Sequence, residues 1–190
     1  MFLRAGLLVL MCTAAASVAA AEAVSVETTR RDSAVEVRAH ALLEASYDTV
    51  WSTLTDYNRL AEFIPGMKSS LVLEQREDAT IVQQEGEVRF LFFTFPIKVT
   101  LLTTARPPNA IDVHLLKGNL RRLDGGYRLE QAAHGQIALR WTGLIEPESL
   151  PPLLGELVMR ANIRSQFTGM VREIERRESL RPDRDKEPGK

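Results

Sequence analysis

Through most of this chain apolar and polar residues alternate with a period of two, the pattern of strands that bury one face. In "AVEVRAHA", Val35, Val37, Ala39 and Ala41 oppose Glu36, Arg38 and His40. "SSLVLEQ" and "TIVQQEGEVRF" are separated by the charged Arg76-Glu77-Asp78, which predicts a hairpin. "IKVTLLTTA" runs into Pro107-Pro108-Asn109, a turn that Pro fixes and Asn tolerates. "AIDVHLLKG" and "QIALRWTGLI" also alternate, and in the second Ile137, Leu139, Trp141 and Ile145 share a face opposite Arg140 and Thr142. The segment "LRRLDGGYRLEQ" admits two readings: Asp124-Gly125 as a two-residue hairpin turn, or one long strand bent at its glycines. The bend is preferred, because the hairpin leaves "LRRL" as a very short strand.

Two regions change period. "VWSTLTDYNRLAEFIPGM" begins as an amphipathic helix, breaks at Thr55-Asp56, restarts, and stops at Pro65-Gly66. It reads as two short helices that form a lid or end-plug. After Pro151-Pro152 a helical pattern continues to Arg181-Pro182, roughly 40 Å at 1.5 Å per residue. Its apolar stripe changes phase: Leu150, Leu154, Leu157 and Ala161 lie on one side, and Ile163, Phe167, Met170 and Ile174 lie about a third of a turn round. That predicts a bend, or two halves packed on different surfaces. Glu173 and Arg177 form a favourable i,i+4 pair near its end. The element order predicts an α+β fold: a curved antiparallel sheet of about six to seven strands, two short helices near the N-terminus, and one long C-terminal helix across the concave face. One helix cannot fill a whole concave face, so a tunnel is expected beneath it.

The first residues alter the compartment. Met1 to Arg4 supply a short basic stretch, Ala5 through Ala21 are mostly apolar, and Ala19-Ala20-Ala21 offers a small-residue cleavage pattern. Residues 1–21 therefore read as a secretory signal peptide, 22–180 as one domain, and 181–190, "RPDRDKEPGK", as a disordered polar tail. An uncleaved anchor is the alternative for the leader. Export places the mature protein outside the cell or in a periplasm. Cleavage removes Cys12, the only cysteine, so stability must come from a hydrophobic core. Charge is nearly balanced, with 24 Lys and Arg against 25 Asp and Glu, and nothing in it favours nucleic acid.

Candidate chemistry is sparse. His40, His114 and His134 fall on separate elements without metal-ligand spacing, so no metal site and no cofactor are expected. Asp112 and His114 share a strand face, but Ile111, Val113 and Leu115 define the apolar one, which sends the pair to solvent. Glu85, Glu87 and Arg89 alternate against Val82, Gln84, Gly86, Val88 and Phe90. Gln84 thus sits on the apolar parity, either orienting a ligand carbonyl or hydroxyl or bonding a cavity water, and Val88 and Phe90 continue its face. Tyr127 and Trp141 combine an apolar ring with one polar handle, which suits a ligand wall or plain core packing. "FLFFTFP" carries Phe92, Phe93 and Phe95 on both parities, a candidate for transient membrane contact at a ligand gate. No catalytic set is assigned.

The segment "SYDTVWSTLTDYNRLAEFIPGM", with "FLFFTFPIKV", "GNLRRLDGGY", "IEPESLPPLLG" and "RSQFTGMVREIERR", resembles the START-like helix-grip superfamily, in its polyketide cyclase/dehydrase and coenzyme-Q-binding branch. The resemblance spans about Val35 to Arg177 and implies a helix-grip fold holding a hydrophobic or amphipathic small molecule. Three functions stay open: an exported carrier or binder of a lipid or quinone-like molecule, a cyclase or dehydratase acting in the same cavity, and a non-catalytic interaction module. The wall candidates Gln84, Val88, Phe90, Tyr127 and Trp141, with no inward acid or His, favour the binder.

Overall fold

A computed structural model describes residues 24–90, 92–148 and 152–181. Eight strands form one antiparallel sheet: β1 (Val24–Arg31), β2 (Ala34–Leu43), β3 (Met67–Gln75), β4 (Ala79–Phe90), β5 (Phe93–Arg106), β6 (Ala110–Gly118), β7 (Leu120–Gln131) and β8 (Ile137–Pro147). Their spatial order is β1-β2-β8-β7-β6-β5-β4-β3, so β2 crosses to pair with β8, about a hundred residues downstream, and β3 returns to the far edge. The expected six to seven strands are therefore corrected to eight. The additional strand is β1, in which Val24 and Val26 point into the core while Thr29, Arg30 and Arg31 are exposed. Its apolar alternation is short because it lies at an edge and its second half is polar.

The segment between β2 and β3 begins with α1 (Tyr47–Leu54), capped by the Ser46 hydroxyl, which accepts from the Thr49 N–H at 3.2 Å. Val50, Thr53 and Leu54 bury its inner face. Where two short helices were expected, the chain past Thr55 makes a 3-10 turn (Tyr57–Arg59) that runs into a single α-helical turn, α2 (Leu60–Phe63). Gly66, with φ +81°, then reverses the chain into β3. The Asp124-Gly125 segment is one strand, as the bend reading holds.

The long helix α3 (Pro152–Ser179) lies against β1 and β2 and reaches α1 and α2. Its buried positions are Gly155, Val158, Met159, Phe167, Met170, Val171, Glu173 and Ile174, with Asn162, Ile163 and Gln166 half-buried between them. That stripe is continuous at i,i+3/i+4 spacing, so the expected phase change does not occur; Leu157 is 55% exposed and Ala161 is also exposed. Leu157 misled because α3 buries Val158 and Met159 beside it; Leu150 and the side chain of Leu154 lie outside the described residues. Residues 1–23 and 182–190, and with them the leader and most of the tail, lie outside the described residues.

Polar contacts hold α3 at both ends. Near its start, Arg160 Nε donates to Thr28 Oγ1 at 2.8 Å, and Thr28 donates to Glu156 at 3.1 Å. Near its end, Ser46 N–H and hydroxyl both donate to Glu178, at 3.2 and 3.1 Å. Arg177 joins Glu173 of its own helix, at 2.7 Å, to Asp56 of the α1–α2 connection, at 2.8 Å. Its guanidinium also lies 5.4 Å from the Phe63 ring centroid, within cation–π range. Gly169 completes the contact, since a Cβ there would come within 2.5 Å of the Phe63 carbonyl oxygen. The broken helical segment is thus a plug fastened to α3.

Candidate ligand-binding site

A cavity of about 350 Å³ lies between the inner face of the sheet, α3 and the plug. Each wall follows from strand parity. On β5, Val99, Leu101 and Thr103 face inward; β6 adds Ile111 and Val113; α3 contributes Val158, Met159, Ile163, Phe167 and Met170. Leu54, Tyr57, Leu60 and Ile64 close the plug side. The register aligns the turn after β4, the β6–β7 connection and the end of β8, and there the wall includes Phe95, Pro96, Leu120, Pro147 and the exposed Glu148.

Of the five ligand-wall residues expected from sequence, Gln84, Val88, Tyr127 and Trp141 line this cavity. The side chain of Phe90 lies outside the described residues. Trp141 packs its indole over Gly143 on its own strand, so closely that a Cβ at Gly143 would overlap the six-membered ring. Gly143 pairs across strands with Gly125, where a Cβ would meet the Thr142 carbonyl oxygen at 2.5 Å. These two glycines let β7 and β8 approach and leave the tryptophan room to lie flat. Gly86, on the parity of Gln84, also lines the cavity, and a Cβ there would strike the Gly66 carbonyl oxygen at 2.5 Å, so the position also serves the seating of the plug on β4.

The polar groups of the wall are uncharged or turned away. Gln84 Nε2 donates to the buried Ser70 hydroxyl at 3.4 Å, a long bond that holds the amide loosely. Thr103 donates to the Thr80 carbonyl at 3.1 Å and also bonds Tyr57, whose phenol is raised above its ordinary pKa by burial. Tyr127 is half-buried and lines the hollow; burial, then the neighbouring Tyr57, pushes its hydroxyl up to about 12. It is therefore a neutral hydrogen-bonding group at any physiological pH. Asn119 is already committed, accepting from the Lys98 N–H at 2.8 Å and donating to the Pro96 carbonyl at 2.7 Å. Glu85 and Glu87 have the opposite parity to Gln84 and Val88: Glu85 is paired with Lys98 at 2.6 Å, and Glu87 is held by Lys68 and Arg89.

Asp112 and His114 stay apart from the cavity and from each other. Asp112 pairs with Arg106 and Arg128, and His114 Nδ1 lies 3.0 Å from Asp124, which it and Arg122 hold below the usual carboxylate range. Among the described residues no group of three or more His, Cys, Asp or Glu is placed to hold a metal ion. Sequence reasoning missed Tyr57, Thr103, Asn162 and Gln166. Thr103 was available from the parity of Val99 and Leu101, and Asn162 and Gln166 from their i,i+4 spacing within the α3 stripe. Tyr57 gave no such signal, because its place depends on how the plug docks.

No curated protein sequence matches the chain significantly. Solved structures match its fold: the Zhui aromatase/cyclase from Streptomyces, at 14% identity and TM-score 0.65 over 80% of this chain and 98% of that one. A STAR-related lipid transfer protein from Xanthomonas axonopodis matches at 16% identity and TM-score 0.64, over 81% and 94%. A START superfamily protein from Mycobacterium smegmatis matches at 13% identity and TM-score 0.57, over 76% and 97%. At such identities these likenesses show the fold alone. The family profile described as polyketide cyclase/dehydrase and lipid transport matches residues 43–177, from the end of β2 to the last turn of α3, and the chain belongs to that family.

Proposed function

We propose that the protein is an exported binder or carrier of a hydrophobic or amphipathic small molecule, lipid-like or quinone-like, held between the sheet and α3. The observation that supports this most directly is the cavity itself: about 350 Å³, within the range of small-molecule sites and walled mainly by aliphatic and aromatic side chains. Family membership and the lipid transfer protein among the structural neighbours point the same way. Phe92, 89% exposed at the turn between β4 and β5, precedes the wall residue Phe95 by three positions and is suited to touch a membrane while ligand passes. Phe93, the third aromatic of that hairpin, has a side chain outside the described residues.

Native mass spectrometry of the protein recovered from its natural host, followed by organic extraction, tests the reading. The expected result is a chain starting close to Glu22 that carries one apolar molecule per protein, recovered unchanged after long incubation. An intact Met1 would revive the membrane anchor. Conversion of the extracted molecule, abolished by Gln84→Leu or Tyr127→Phe with occupancy retained, would replace the carrier by a cyclase-type enzyme.

A further inference from the structure

The charge pattern of the cavity wall narrows the ligand class, given the binder reading above. Among the described residues no lysine, arginine or histidine lines the cavity; the charged residues that do are Glu85, Glu87 and Glu148. Two of these carboxylates leave the sheet on its outer parity and are neutralised there, and the third is exposed at the end of β8. An anionic head group inside would meet no counter-charge, in a setting where an unpaired charge is strongly disfavoured.

Neutral hydrogen-bonding capacity, by contrast, is present and unused. The Tyr127 hydroxyl faces the hollow from β7, and the Asn162 and Gln166 amides face it from α3; none of the three hydrogen-bonds to a protein group among the described residues. A polar group on a cavity wall without a protein partner must be met by water or by ligand. We propose that the cavity selects an uncharged ligand bearing a hydroxyl or carbonyl oxygen, bonded by Tyr127, and rejects molecules that present a carboxylate or phosphate. A carboxylic acid can enter only by taking up a proton. With an ordinary carboxyl pKa near 4.3, about one molecule in 500 is neutral at pH 7, and the fraction changes roughly tenfold per pH unit.

The test uses three probes of equal chain length, 1-decanol, decanoic acid and decane, with binding to the ligand-stripped protein measured by titration calorimetry at pH 6 and pH 8. Decanol should bind equally at both. The apparent Kd of decanoic acid should rise about a hundredfold from pH 6 to pH 8, and at pH 8 decanol should be far the tighter of the two. Tyr127→Phe, which keeps the ring, should lower decanol affinity about tenfold and leave decane unchanged. Decanoic acid binding as tightly as decanol at pH 8, with no pH dependence, overturns the inference and leaves the carrier reading standing. An unchanged decanol-to-decane ratio in Tyr127→Phe overturns the role of that hydroxyl. Failure of all three probes to bind overturns the carrier reading as well.

Discussion

Replacing Glu173 by Gln should loosen the plug from α3 and destabilise the protein by about 2 kcal/mol. The Glu173 carboxylate, 9% exposed, accepts from Arg176 at 2.7 and 2.8 Å and from Arg177 Nε at 2.7 Å, while Arg177 reaches on to Asp56. Arg176 first, and then Arg177, against the opposing cost of burial, lower its pKa from 4.5 to about 2. At 1.36 kcal/mol per pH unit that gap corresponds to roughly 3 kcal/mol of folding free energy. Its covering is shallow and Arg176 is half-exposed, so solvent screening reduces the figure to about 2 kcal/mol. The folded-state pKa is depressed, so the stabilisation is complete above pH 4.5 and is lost as pH falls toward 2. Urea and thermal denaturation of wild type and Glu173→Gln across pH 2 to 7 measure it. The two curves should be separated at pH 7, with a Tm about 4–8 °C lower in the variant, and should converge in acid. Curves that run parallel over the whole range, or lie within about 0.5 kcal/mol at pH 7, would refute the assignment.

Gly143→Ala should tip the Trp141 indole into the cavity and lower ligand capacity while the sheet still forms; stoichiometry by native mass spectrometry, together with near-ultraviolet circular dichroism of the tryptophan, reads both effects. Gly169→Ala should push Phe63 and Pro65 off α3, seen as faster hydrogen exchange over residues 47–66 with little change in β7 and β8. Replacing both Gly125 and Gly126 by Val should cost several kcal/mol or abolish folding, because each Cβ would come within 2.5 Å of a neighbouring carbonyl oxygen. A double variant that unfolds in urea like wild type would remove the case for close strand approach there.

The inner faces of β2 and β8 were legible because alternation alone decides which side of a strand is buried; Val37, Leu139 and Trp141 follow it without exception. Gln84 was legible for the same reason, as the polar residue on the wrong parity. What could not be read depended on packing between elements. Leu157 looks like a core residue until the partner surface of α3 is known, and β1 looks like a linker until β2 is seen to lack a neighbour on one side. The plug shows both sides: its break at Thr55-Asp56 is written in the sequence, but the ion pair of Asp56 with Arg177, 121 residues away, is not.

The pairing of β2 with β8 has a consequence for how the chain is made. Closing a loop of about a hundred residues carries an entropic cost near 4 kcal/mol, which must be met before that pairing contributes anything. The β1–β2 hairpin and the hairpins from β3 to β7 can each form locally, but β2 has no neighbour on its other edge until residues 137–147 have emerged from the ribosome. The sheet therefore stays in two separate pieces until β8 is made. One of the last strands to be made is thus the one that joins the two pieces, and its arrival sets when the topology closes.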